Sequence, residues 1–245
     1  KSLYDSSCLT WSPQGRLYQV EYAMEAVNQG TCLIGLRSKE FAVLCGLKST
    51  MHDSLGYYQE KLYSVSNNMG MGISGLTPDG RILHKYMKNE CLNYFYVYNN
   101  QHPVERLVTK VSEKSQRKTF GDSKRPYGVG TLIAGADKTG PKLFRTCPSG
   151  LYYEYYAYAI GSRCQTANTY LENNLDSFPD CDLENLIRHA IEAMKKAQDI
   201  SINEKNLDIG FVSQGNNFTR VDEEWLATLL KPKEQPKQSG MVVDS

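Results

Sequence analysis

The chain lacks most of what would commit a protein to a membrane, a metal or a nucleic acid. No apolar run approaches the ~18 residues that span a bilayer, and the first residues lack the charged-then-apolar pattern of a leader. The expectation is a soluble, intracellular protein. A charge excess is missing as well: 28 Lys and Arg against 27 Asp and Glu leave a formal +1, too little to draw the whole molecule to nucleic acid or anionic lipid. Histidine is scarce, with 4 residues; His84 and His189 fall in predicted helices without the i, i+4 partner of a zinc helix. The seven cysteines, Cys8, Cys32, Cys45, Cys91, Cys147, Cys164 and Cys181, are odd in number and nowhere spaced C-x-x-C. They are therefore expected as free thiols, not as a zinc site or a disulfide framework. No cofactor or metal is implied.

What is present suffices for one large core: 245 residues, 40% of them hydrophobic, near the upper end of the single-domain range. The most informative stretch runs from Ser12 to Gly30. Ser12-Pro13-Gln14-Gly15 fits a type I turn with Pro at the second position and Gly at the fourth. A helix is then predicted from about Leu17 to Gln29, with Leu17, Val20, Met24 and Val27 on one stripe and Tyr18 and Tyr22 on a second beside it. Gly30 is the expected stop, able to adopt a left-handed conformation after the last turn. One domain core ordinarily covers one stripe, so the second points to a partner.

Past Gly30 the order is strands, helices, strands, helices. Thr31–Leu36 and Phe41–Leu47 read as a hairpin, with further strands near Lys61–Val65 and Met69–Gly75. Helices follow over Pro78 to about Asn99, with Thr77 as N-cap, and over Pro103 to about Gln116. Strands resume at Gly128–Ala136 and Lys142–Cys147, with two short ones in Leu151–Ile160. Helical periods then cover Ser162 to about Leu175 and Leu183 to about Ala197, ahead of a last hairpin, Leu207–Ser213 with Phe218–Val221, and a short helix over Asp222–Leu230. Two antiparallel sheets face to face with helices outside, an α+β four-layer αββα sandwich, fit this alternation. From Lys231 the composition turns polar and proline-containing, and residues 231–245 are expected to be a disordered tail.

Several short motifs imitate chemistry. Gly70-Met-Gly-Ile-Ser-Gly75 matches the dinucleotide fingerprint G-x-G-x-x-G, with Glu90 near the distance of a ribose-binding acid. The helix signals come after the third glycine, however, so no helix N-terminus would face a pyrophosphate, and a glycine-rich buried strand is favoured. Asp137-Lys-Thr-Gly140 reads as a hairpin turn. His52-Asp53-Ser54 sets triad residue types side by side, whereas a triad converges from separate elements. Asn217-Phe-Thr219 is a formal sequon without a secretory context.

Tyr4-Asp5, Ser12-Pro-Gln-Gly-Arg-Leu17, Gln19-Val-Glu-Tyr-Ala23, Glu25-Ala-Val27 and Gly30 together resemble the N-terminal signature of alpha subunits of the 20S proteasome. Arg125-Pro-Tyr-Gly-Val-Gly130, Gly161-Ser162 and Leu171-Glu172 carry the likeness onward, so it covers roughly residues 4 to 230. The resemblance implies the N-terminal-nucleophile hydrolase fold with an extra N-terminal helix. It also implies a catalytically silent ring subunit that takes part in assembly, in gating and in docking of activators during protein degradation in cytoplasm and nucleus. The implied partners are neighbouring alpha subunits, the beta ring and activators, with no nucleic acid and no membrane. Residues 1–11 would be a gating tail ahead of a single domain over 12–230. Tyr4, Asp5, Pro13 and Tyr22 would form the gating cluster, and Lys61, Gly30 and Leu17 an activator pocket between adjacent subunits. Ser6 departs from the pattern, standing where related tails carry arginine.

The competing reading is an active threonine protease released by cleavage at Gly30-Thr31. That chemistry needs an acid about sixteen residues past the threonine and a lysine about sixteen further. Those positions are Leu47 and Tyr63, or Gly46 and Leu62 in the adjacent register, so the linear count finds no catalytic set.

Overall fold

A computed structural model describes residues 4–48, 59–121, 124–199 and 201–231. The His52-Asp53-Ser54 run, residues 1–3 of the expected gating tail and residues 232–245 of the expected C-terminal tail lie outside them.

The strands are β1 (Leu33–Arg37), β2 (Phe41–Leu47), β3 (Leu62–Ser66), β4 (Met69–Gly75), β5 (Val129–Asp137), β6 (Gly140–Thr146), β7 (Tyr152–Glu154), β8 (Ala157–Ile160), β9 (Leu207–Ser213) and β10 (Thr219–Arg220). They form two sheets of five, ordered β10-β9-β2-β1-β8 and β3-β4-β5-β6-β7, with antiparallel pairing throughout. Hairpins supply most connections, as the short polar links Arg37-Ser-Lys-Glu40 and Asp137-Lys-Thr-Gly140 predict. The helices are α1 (Tyr18–Asn28), α2 (Thr77–Tyr98), α3 (Val104–Thr119), α4 (Cys164–Asn173), α5 (Leu183–Ala197) and α6 (Glu223–Leu230).

Three apolar layers hold the sandwich together. Leu33, Leu44, Leu62, Leu132 and Leu143 fill the space between the sheets. Helices α2 and α3 close the outer face of the second sheet through Leu83, Met87, Leu107 and Val111. Helices α5 and α6 cover the first through Ile187, Ile191, Met194 and Leu226. Strands buried on both faces read as unbroken apolar runs, which is the pattern of Phe41–Leu47.

The glycine run over β4 has three separate packing duties. A Cβ on Gly70 would lie 2.2 Å from the Phe218 ring, and one on Gly72 would lie 2.5 Å from Leu33. Gly75 holds φ +107°, in the left-handed region that favours glycine. Helix α2 begins at Thr77, after the run, which removes the geometry a dinucleotide site needs.

Some boundaries differ from expectation. Leu76, not Thr77, is the N-cap of α2, and Thr77 and Pro78 are already helical. The segment after α4 continues as a 3₁₀ turn, Leu175–Asp180, closed around Pro179. Asp182 and Asp222 cap α5 and α6 by accepting from Asn185 and Trp225 N–H groups. All seven cysteines are free. Replacing Gly70 by Ala should lower the unfolding free energy by about 1–3 kcal/mol through overpacking against Phe218, read from the urea midpoint; an unchanged midpoint would remove this account of the glycine run.

Candidate functional site

The candidate residues lie along α1 and at the sheet ends that it meets. The turn before α1 forms as predicted: Gly15 N–H donates to Ser12 C=O at 2.9 Å, Arg16 N–H donates to Ser12 Oγ at 3.1 Å, and Gly15 holds φ +74°. Arg16 then reaches forward in an ion pair with Glu21 and lies over the Tyr18 ring.

The buried face of α1 is not the predicted stripe. Ala23 and Val27 are buried while Met24 is exposed, and Leu17 and Val20 are half-buried. Small Ala23 lets the helix lie close, and Val27 fits against Gly130, where a Cβ would come within 2.7 Å of its methyl. Tyr22, 49% exposed, stacks on Tyr18 at 6.1 Å. The surplus surface inferred from sequence is therefore larger than two tyrosines, because Met24 joins it.

Gly30 ends the helix by a different device from the one expected. The C-cap is Gln29 in the right-handed region, and Gly30 has no left-handed φ. Glycine is needed because the backbone of β4 runs against it: a Cβ would lie 2.2 Å from Gly75 N and 2.3 Å from Ser74 Oγ. Its carbonyl accepts from Ser162 N–H at 2.7 Å.

On the outer side of α1 the N-terminal segment is tied down. Tyr22 OH donates to the Asp5 carboxylate at 3.1 Å, and Gln19 Nε2 donates to the Asp5 carbonyl. Burial first, and then Asp5, pushes the Tyr22 hydroxyl above the ordinary tyrosine range. Tyr4 is half-buried beside Asp5, and Pro13 sits exposed in the turn. The structure therefore joins Asp5 directly to Tyr22, while Pro13 acts through the turn that aims α1. Gln19 was missed by the sequence reading, although its position one turn before Tyr22 puts it on the same helix face.

Lys61 lies just before β3, between the ends of the sheets. Its stem packs over Gly46, where a Cβ would stand 3.0 Å from the lysine Cβ, and its residue is 8% exposed. Asp208 Oδ2 accepts from the backbone N–H groups of Lys61 and Leu62 at 3.3 and 3.1 Å. Burial draws the ammonium down to about 8, only partly countered by Cys32 and Asp208. Its carbonyl accepts from Ile73 N–H at 3.3 Å, one residue from Ser74, so Lys61 and Gly30 share a corner. Leu17 sits at the other end of α1, about 17 Å away along an 11-residue helix.

An acid and a lysine thus do meet at the start of β1, which the linear count missed because Asp208 comes from β9. Lys61 lies beside Cys32, however, and burial pushes that thiol up to about 12. Thr31 Oγ1 is buried without a hydrogen-bond partner, and Thr31 follows an intact peptide packed into the sandwich. Glu60 is spent in a surface ion pair with Arg220 at 3.0 Å. Among the described residues no cluster of His, Cys, Asp and Glu could hold a metal ion.

Residues 27–212 match the family described as "Proteasome subunit", and residues 4–26 match the N-terminal signature of its A-type subunits. An alpha type-1 proteasome subunit of Dictyostelium discoideum is 49% identical over 226 residues, 91% of each chain. A probable alpha type-6 proteasome subunit of Schizosaccharomyces pombe is 44% identical over 94% of this chain and 86% of its own. An alpha type-1 proteasome subunit of Trypanosoma brucei rhodesiense is 42% identical over all of this chain and 93% of its own. The names of these relatives, alpha type-1 and alpha type-6, are the two numbers given to the subunit type that the chain resembles, type one in one naming and sixth-type in another.

The buried ammonium makes a separable prediction. Between about pH 8 and about 10.5 the unfolded chain keeps a proton that the folded chain has released, so this group's contribution is most favourable above that window and is lost as pH falls through it. Lys61→Met should therefore stabilise the isolated subunit near pH 7 by on the order of 3 kcal/mol, with the advantage shrinking toward pH 10.5. Equal denaturant midpoints at pH 7 would show that the charge is not desolvated.

Proposed function

The chain belongs to the proteasome subunit family as an alpha-type member, and from that premise we propose that its N-terminal segment helps close the pore of the alpha ring while Lys61 receives activators. As an alpha-ring subunit of the 20S particle it assembles with other proteasome subunits and is catalytically silent.

The observation that carries the gating reading is the pair of ties from α1 to Asp5. One reads the side chain and the other the backbone, so the segment leaves the helix in a fixed direction instead of as a free tail. The exposed surface of Met24, Tyr18 and Tyr22 then faces a neighbouring subunit, and obligate contacts of that type bury ~2,000 Å² or more.

Two poles are distinguishable. Helix α1 lies against the β4 and β5 ends at Gly75, Gly128 and Gly130. Helix α2 leaves that same end and runs 22 residues, ~33 Å, to the opposite one, where it flanks the β3–β4 turn. There Phe95, Tyr96, Val97 and Tyr98 are all exposed, Tyr96 by 90%. Four successive residues point to nearly every side of a helix, so this end needs a surrounding partner surface. With α1 on the outer, pore-closing face, the α2 end is turned toward the inner ring.

A buried, costly ammonium supports the docking reading. Asp208 offsets the burial only in part; an incoming carboxylate would add to that counter-charge, and a carboxyl terminus is the anion that activator segments would offer. Because Leu17 is remote from Lys61 and Gly30 within one chain, a pocket using all three is completed across a subunit boundary.

Deleting residues 1–11 in the assembled particle should raise hydrolysis of small peptides severalfold, and unchanged hydrolysis would mean that this tail does not obstruct the pore. In the same particle Lys61→Met should weaken activator binding by about tenfold or more, the loss expected for one charge-assisted contact. Undiminished binding would remove Lys61 from the pocket.

A further inference from the structure

Ser6 and Ser7 are suspended between two fixed points. Asp5 is held by Tyr22 and Gln19. Cys8, 6% exposed, points its thiol at the Lys124 carbonyl at 3.5 Å. With residues 5 and 8 both anchored, the intervening hydroxyls keep their place on one wall of a cleft of about 340 Å³. The rest of that cleft is Gln19, Gly121, Lys124 and Arg125, two cations and no carboxylate among the described lining residues.

Arg125 is oriented by the buried carboxylate of Asp79, through Nη1 at 2.5 Å and Nη2 at 2.8 Å, which leaves the Nε edge outside that pair. Lys118 adds a positive charge felt at Asp79. The Asp5 carboxylate, next to Ser6 in the chain, is engaged by the Tyr22 hydroxyl. Ser7 Oγ already accepts from Leu9 N–H at 3.1 Å, whereas Ser6 is exposed and open to an enzyme.

We propose that Ser6 is a phosphorylation site and that Lys124 and Arg125 form the cleft that holds its phosphate. A serine kinase would transfer the terminal phosphoryl group of a nucleoside triphosphate: the bond from that phosphorus to the bridging oxygen breaks, the bond to Ser6 Oγ forms, the hydroxyl proton passes to the kinase's base, and the nucleoside diphosphate leaves. The product carries close to two negative charges and three acceptor oxygens. A lysine point charge and the free edge of an oriented guanidinium suit such a group. Phosphorylation would tie the N-terminal segment to Lys124 and Arg125 and make dianionic the position where related tails carry arginine. Only this last consequence rests on the gating reading; capture of the phosphate does not.

The test uses the full chain with Ser6→phosphoserine introduced during translation, beside a free peptide of residues 1–16 bearing the same group. In a phosphorus NMR titration the second ionisation, near pH 6 in the peptide, should fall in the chain by about half a pH unit or more. It should return toward the peptide value with Lys124→Ala. Identical titrations in chain and peptide would overturn the cleft. Mass analysis of N-terminal peptides from native particles, purified with phosphatase inhibitors, should find phosphate on Ser6; finding none, or phosphate on Ser7 or Thr10 alone, would overturn the site. Peptide hydrolysis by the particle is read separately, so a shifted titration with unaltered hydrolysis would count against the gate and leave the phosphate cleft standing.

Discussion

The corner where Gly30 meets Ser74 and Gly75 sets how α1 lies on the two sheets. Ser74 Oγ, wholly buried, lies 3.0 Å from the Val27 carbonyl and 3.1 Å from the Thr31 carbonyl. Gly161 closes the junction from the other sheet with φ +100°, and a Cβ there would stand 2.6 Å from Thr31 C=O. Backbone thus packs on backbone from α1, both sheets and the approach to α4. No side chain larger than hydrogen fits at Gly30, Gly75 or Gly161 without displacing a main-chain atom, which is costly in a close-packed interior. The corner therefore fixes the axis of α1 and, through it, the face that Tyr22 and Gln19 turn toward Asp5.

The same corner explains the silence of the Gly30-Thr31 bond. In a threonine protease that dipeptide has to be cut and the new amine left free beside its hydroxyl. Here the peptide is part of the joint: its carbonyls hold Ser162 and Ser74, and α1 on its N-terminal side buries Ala23 and Val27. Lys61 stands close by, yet the group beside it just ahead of β1 is a thiol that burial keeps protonated. Burial lowers this ammonium even with Asp208 beside it, so Lys61 costs the lone subunit stability near neutral pH.

Local chemistry made much of this legible in advance. The turn at Ser12–Gly15, the β4 span and the α5 span follow from proline and glycine placement and from 3.6-residue and unbroken apolar patterns, which are properties of neighbouring residues. The wrong details have equally local causes. Met24 matched the periodic stripe, but Ala23 packs better where a helix lies on a sheet at close range, and periodicity alone does not weigh size. Thr77 looked like a cap because Thr-Pro opens many helices, yet the preceding Leu76 takes the extended conformation and leaves Thr77 helical. Gln19 escaped because its partner is a backbone carbonyl, which no residue letter announces.

By itself the sequence determined the alternation of elements, the family, and the presence of a helix with more apolar surface than one core covers. It did so because those features depend on residue type and spacing along the chain. Only the tertiary structure decided that Gly30 is a point of backbone contact and not a left-handed cap, that Asp208 from β9 stands beside Lys61, and that Ser6 faces Lys124 and Arg125. Each of these joins residues more than forty positions apart, and such distances are set by how two sheets and their helices close on a shared core, which local spacing does not encode.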